Sequence, residues 1–111
     1  MRRDELYLQD IIDAADAIDR FVGGVTEDQF LDDELRQSAV LQKLMIMGES
    51  AARISSELKD RHADIAWRDI IAFRNFAVHA YFAVDWHIVW YTAMHDAPLL
   101  RNKIAEILKT L

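Results

Sequence analysis

Leu8, Ile11, Ile12, Ala15, Ile18 and Phe21 or Val22 recur three and four residues apart, a spacing that places them all on one stripe of an α-helix. The same spacing returns in Leu35, Ala39, Leu41, Leu44, Met45, Met47 or Gly48, Ala51, Ala52, Ile54 and Leu58. Nowhere do apolar and polar residues alternate as a half-buried strand requires. Three glycines and one proline in 111 residues leave few places where helices can be interrupted. These patterns predict an all-α, up-and-down bundle of about four to five helices, built as a single domain over residues 1–111.

The first helix is predicted from about Asp4 to Phe21, closed by Gly23-Gly24. Thr26 with Gln29 three residues later reads as a capping box opening a short turn. A long second helix is predicted from about Asp33 to Lys59. Gly48 in its interior costs helix propensity, which the close approach of a neighbouring helix accounts for. DRHADIAW, residues 60–67, is a polar connection to a third helix from about Trp67 to Val78. Asp85 suits the N-cap of a fourth helix starting at Trp86. His95-Asp96-Ala97-Pro98 then breaks or kinks it, because Pro98 has no N–H to donate and suits a first turn. The remainder, to about Lys109, is a final helix or the kinked continuation of the fourth.

The chain has no cysteine, which excludes disulfides and thiolate metal sites. Its start, MRRDELYLQD, lacks the apolar region of a signal peptide, and no apolar run is long enough to span a bilayer, so a soluble, cytoplasmic protein is expected. An apolar share of 52%, a little above the globular norm, hints at a buried interface in addition to a core. The net charge of −6 argues against a generic nucleic-acid binder, because non-specific affinity for a polyanion comes from neutralised phosphates. The distribution is uneven: residues 1–40 carry eleven acids against four arginines, net −7, whereas residues 53–80 carry five bases against four acids, net +1. A locally basic site on an acidic body is therefore compatible with the total.

One stretch carries the polar chemistry. Residues 74–81 read RNFAVHAY, with Phe76, Ala77, Val78 and Ala80 interleaved in what otherwise has the pattern of buried helix. At about 100° per residue Asn75 and His79 point nearly the same way, while Arg74 lies about 140° round from His79 on a side chain long enough to wrap toward the same mouth. Tyr81 falls just beyond the helix end. Such a set suits RNA cleavage, which without a metal needs a base for the 2′-OH proton, an acid for the leaving 5′ oxygen and positive charge for the crowded phosphorane. Histidine titrates near neutrality and serves either proton role, and arginine offers a planar fork matched to phosphate oxygens. Asparagine can fix the imidazole tautomer or bind substrate. One chain supplies one such histidine, so a two-fold dimer pairing two copies of the site would provide both acid and base. The residues alone favour a plainer reading, a helix C-cap in which His79 answers the macrodipole and Arg74 and Asn75 satisfy loop carbonyls.

Arg74-Asn75 followed by His79-x-Tyr81 resembles the Arg-x4–6-His-x-Tyr signature of HepT-like toxins, within the HEPN superfamily of small helical ribonucleases. GESAARIS (48–55) is similar to that family's Gly-Glu-Ala stretch, WRDIIAFRN leads into the motif, and Asp85, Trp90 and Pro98 follow at the family's spacing. The likeness covers most of residues 35–105; the first helix matches only in its amphipathic character. The resemblance implies a metal-independent endoribonuclease toxin of a type II toxin–antitoxin pair, needing no cofactor. Arg74 and His79 would be its catalytic pair, Asn75 a supporting polar group, and the cleft would lie at a homodimer interface. It further implies an MntA-type nucleotidyltransferase antitoxin that neutralises the toxin by transferring AMP to Tyr81. Negative charge and bulk two residues from His79 would occupy the place of the RNA phosphate. Tyr81 otherwise reads as an interface aromatic.

Glu49 can pair with Arg74 if it faces the third helix, although an i,i+4 bridge to Arg53 is the simpler expectation. His87, Tyr91, Trp86 and Trp90 can stack bases, but core or dimer packing is the favoured reading. His62 and His95 are expected at the surface. No pair of Glu-x-x-His motifs on facing helices is present to bridge a metal centre. Two rivals to the nuclease are a HEPN-like scaffold that binds RNA or nucleotide without cutting it, and a structural partner of the nucleotidyltransferase.

Overall fold

The computed structural model describes residues 3–111, with seven α-helical segments among them: α1 (Asp4–Val22), α2 (Glu27–Leu31), α3 (Glu34–Arg53), α4 (Ser56–Arg61), α5 (Trp67–His79), α6 (Trp86–Tyr91) and α7 (Ala97–Lys109). A 3-10 turn, Tyr81–Ala83, follows α5, and a π-helical turn, Thr92–Asp96, joins α6 to α7. No strand occurs among the described residues. The rods α1, α3, α5 and the jointed α6–α7, with the short α2 and α4 between them, make an all-α bundle of 41 × 29 × 24 Å. None of the described helices is long and apolar enough to cross a membrane.

Helix α1 packs along α3 and along α7, and α3 carries α5 on another side. The core they enclose includes Leu8, Ile11 and Ile18 of α1, Phe30 of α2, Leu41 of α3, Leu58 of α4, Val89 of α6 and Ile104 of α7, all sealed from solvent. Each is worth about 1.5–3 kcal/mol in transfer free energy, so this cluster dominates stability. Phe30 also meets Trp86 edge-on and Trp90 at a tilt, at centroid distances of 6.5 and 5.2 Å, which places both tryptophans against the core as favoured from the sequence. Of the four long helices α1, α3, α5 and α7, α5 contributes least, with only Trp67 and Ala77 buried. Much of its surface remains outside the core.

The element ends have local causes. At the end of α1 the Gly23 N–H donates to the Asp19 carbonyl, and Gly24 takes φ +76°, a left-handed conformation that costs glycine little. The capping box is present in both directions: the Gln29 N–H donates to Thr26 Oγ1 at 3.2 Å and the Thr26 N–H to Gln29 Oε1 at 3.0 Å. It opens the helix α2. Asp85 caps α6 by accepting from the His87 N–H at 2.9 Å.

The predicted second helix does not run through to Lys59. It stops at Arg53, and Ile54 and Ser55 are extended before α4 begins. Ser55 gives both its N–H and its hydroxyl to the carboxylate of Asp4 on α1, while its Oγ accepts from the Leu58 N–H and caps α4. The Ala51 carbonyl that a continuous helix would have bonded to Ser55 accepts instead from the Ile54 N–H at 3.4 Å and from the Lys59 ammonium at 3.2 Å. Near Pro98 the outcome is a continuation of the fourth helix through a π turn. The Ala97 N–H reaches five residues back to the Thr92 carbonyl, and the widened π turn accommodates the proline ring that an α-helical turn would press against a carbonyl.

Candidate active site

The site is positioned by the crossing of α3 and α5. A Cβ built on Gly48 would stand 2.4 Å from the Arg74 Cβ and 2.9 Å from the Ile70 carbonyl oxygen, so the two backbones approach where only glycine fits. That contact fixes where the Arg74 side chain begins. Its Nη1 then meets Glu49 Oε2 at 2.8 Å, while Glu49 Oε1 accepts from Arg53 Nε at 2.9 Å and faces Arg53 Nη2 at 2.8 Å. Both expectations for Glu49 therefore hold at once. One carboxylate joins two guanidinium groups, and its hydrogen bond raises the pKa of Arg53 above the ordinary guanidinium value. The Arg74 side chain is 25% exposed, and its Nε is buried with no hydrogen-bond partner among the described residues.

Asn75, the next residue, and His79, a turn further along, are exposed, and neither side chain makes a hydrogen bond or ion pair with another described residue. His79 is the last residue of α5, and the Ala80 N–H, not the imidazole, closes the helix by donating to the Phe76 carbonyl at 2.8 Å. Tyr81 opens the 3-10 turn, half-exposed, with its ring edge-on to Phe82 at 5.6 Å and to Trp86 at 6.4 Å. No hydrogen bond links Arg74 to His79 among the described residues.

The expectation of a buried stretch fails for all but one of its apolar residues. Ala77 is buried, yet Phe76 and Val78 are half-exposed and Phe82 is 101% exposed, as free as in an extended chain. Ile88 and Tyr91 on α6 add to the uncovered apolar surface. Their period is that of a helix buried on two sides, so spacing could not tell core from interface; the excess of apolar residues was the one available signal.

The remaining candidates divide cleanly. His87 is exposed, with Nδ1 3.4 Å from Glu27 Oε2. His95 is exposed and stacks on Tyr91 with centroids 4.5 Å apart. His62 caps α4 and its carbonyl accepts from Trp67 Nε1 at 3.0 Å. A cavity of about 390 Å³ lies between α3, α5 and α7, lined by Leu44, Ile70, Phe73 and Leu100 among others, and by none of Arg74, Asn75, His79 or Tyr81. No group of three or more His, Asp or Glu residues among those described is placed to hold a metal ion.

The family model described as ribonuclease HepT-like matches residues 11–107. The chain belongs to the HepT-like ribonuclease family. It is 36% identical to a protein of Thermococcus cleftensis named "Probable ribonuclease HepT", over 93% of this chain and 94% of that one. A protein of Caldanaerobacter subterraneus subsp. tengcongensis, named as an RNase, is 28% identical over 98% of this chain and 97% of its own. A longer protein of Methanocaldococcus jannaschii, named for gamma-glutamylcyclotransferase and RNase, is 29% identical across the whole of this HepT-like chain, which spans 50% of it. No solved structure matches. The match to the HepT-like model takes in α3 and α5 in full, and so the crossing that carries Arg74 and the turn that ends in His79.

Proposed function

We propose that this HepT-like chain is a metal-independent endoribonuclease, acting as the toxin of a type II toxin–antitoxin pair, with Arg74 and His79 as its catalytic pair. The observation that carries the reading is an unpartnered, solvent-reachable imidazole at the end of α5, five residues after an arginine whose side chain begins at the Gly48 crossing. His79 moves protons between the 2′-OH, solvent and the 5′ leaving oxygen. Arg74 neutralises the phosphorane with the guanidinium donors left over from Glu49. Asn75, on the His79 side of the helix, holds the imidazole or the substrate.

Two copies complete the site. Phe76, Val78, Tyr81 and Phe82 surround His79 with apolar surface that a monomer would leave wet, and a two-fold contact through them sets two His79 side chains near one axis. Tyr81, 44% exposed and two residues from His79, is the acceptor for AMP delivered by an MntA-type nucleotidyltransferase antitoxin. The exposed acids of α1 to α3, among them Asp13, Asp19, Glu27, Asp28 and Glu34, suit docking of a basic surface on that partner. The protein works in the cytoplasm as one HEPN-like domain.

Expression of the chain alone in a bacterium, beside His79→Ala, tests the reading. Growth arrest by the wild type, relieved by the substitution together with a loss of about 10²–10⁴ in RNA cleavage by purified protein, is the expected result. Normal growth with wild-type protein present, or equal cleavage by the variant, would overturn it. Should Arg74→Ala abolish RNA binding while His79→Ala changes nothing, the chain is a binding scaffold.

A further inference from the structure

We propose that Glu49 is the positioning residue of this site, holding the Arg74 guanidinium in the orientation in which it receives a phosphate; the inference rests on the ribonuclease reading. The geometry is specific. Gly48 sets the root of the Arg74 side chain, and the adjacent residue on the same helix, Glu49, captures its far end at 2.8 Å. Those two points bracket the four rotatable bonds between them. A free arginine gives up rotamer entropy when it clamps a ligand, and a guanidinium already tethered at both ends gives up less.

The division of the carboxylate matters as much as its presence. Oε1 is taken by Arg53 from the following turn of α3, which leaves Oε2 to a single Arg74 nitrogen. Arg74 is thus not locked in a two-nitrogen fork with its own helper. Its Nη2 and the second hydrogen of Nη1 stay available for phosphate oxygens. The three groups together carry a net +1 charge, so the bridge leaves positive charge at the site. A carboxylate with no Arg53 to share it would be free to close on Arg74 with both oxygens.

This role separates from charge repulsion and from simple packing by the split between KM and kcat. Glu49→Ala removes a negative charge beside the phosphate path, so it leaves KM for a short RNA unchanged or lower. It also frees the guanidinium, so kcat falls by about 10- to 100-fold, the scale seen when support for a catalytic group is lost. Glu49→Gln, whose amide oxygen can still accept from Arg74, recovers part of that loss. Arg53→Ala, which lets both Glu49 oxygens close on Arg74 and removes the net positive charge of the cluster, raises KM for the RNA instead. A Glu49→Ala enzyme with unchanged or raised kcat would overturn the proposal, since that is the behaviour of a residue that only masks Arg74.

A second measurement does not depend on catalysis. In the 15N-labelled wild type, the Nη groups of Arg74 are expected as separate, slowly rotating NMR resonances that merge in Glu49→Ala, with thermal unfolding of both proteins following as a control for folding. Rapid rotation in the wild type would overturn the positioning role outright. If the wild type cuts no RNA, the nuclease reading fails by itself, and the resonances alone decide whether Glu49 holds Arg74.

Discussion

Arg74 and His79 stand five residues apart in opposite states of readiness: one is three-quarters covered and tethered to a carboxylate, the other exposed and bonded to nothing described. An arginine keeps its charge at any physiological pH, so tethering costs it no function; a histidine that must gain and lose protons works best with open access to water and substrate. Asp33 shows the same logic of local charge in a purely structural role. Its carboxylate accepts from the Arg36 N–H at 3.0 Å and from Arg36 Nε at 3.1 Å, and the backbone hydrogen bond above all holds its pKa below the ordinary carboxylate value. Arg36 in turn donates through Nη1 to the Phe21 carbonyl, tying the start of α3 to the end of α1. A carboxyl whose pKa falls on folding stabilises the native state above its unfolded pKa of about 3.9, and that stability disappears as pH drops through the folded value. Asp33→Ala is therefore expected to unfold at lower urea concentration than the wild type at pH 7, with the gap between the two closing below about pH 4. A gap that does not narrow at all as pH is lowered below about 4 would assign the effect to something other than the ionised cap.

At the scale of elements, Gly48 is the residue on which the site turns. Its replacement by alanine would gain up to about 1 kcal/mol of helix propensity. Against that, the new methyl meets the Arg74 Cβ at 2.4 Å and a backbone oxygen at 2.9 Å, neither of them the far end of a flexible side chain. Overpacking of this kind costs about 1–3 kcal/mol, so Gly48→Ala is expected to show a net loss of up to about 2 kcal/mol in chemical denaturation, with RNA cleavage reduced as well because α5 carries Arg74 away from Glu49. A variant more stable than the wild type would show that the helices can separate freely. The sequence foretold this close approach, together with the α1 stripe, the Thr26–Gln29 box and the Asp85 cap, because each is written in residues near one another in the chain. It did not foretell the break at Ile54-Ser55. The apolar stripe runs unbroken from Leu35 to Leu58, and what interrupts the helix is a carboxylate 51 residues away. Glu49 was legible as a candidate for either arginine, but its sharing between them depends on the packing of α3 against α5, which no local pattern encodes.

For the molecule as a whole, the question is what covers the apolar end of α5. Its core-facing side is satisfied by α3, while Phe76, Val78, Tyr81 and Phe82 remain in water around the imidazole. A contact with a second copy would repeat each of these side chains on the other partner, so every loss counts twice. Burying one phenylalanine is worth about 1.5–3 kcal/mol, and placing an aspartate at position 82 removes that from both copies. The sum of about 3–6 kcal/mol corresponds to a weakening of about 10²–10⁴-fold in dimer dissociation. Phe82 makes no buried contact that holds the fold, being fully exposed, so Phe82→Asp is expected to keep its helical spectrum and melting behaviour while sedimenting as a monomer at concentrations where the proposed wild-type dimer would form. Leu35, 83% exposed on the first turn of α3, provides the control, since Leu35→Asp changes surface charge equally without touching the patch. If the site needs two copies, cleavage by Phe82→Asp falls with dilution in step with dimer loss, and high protein concentration restores it. Full activity from a monomeric Phe82→Asp would mean that a single imidazole and a single guanidinium suffice.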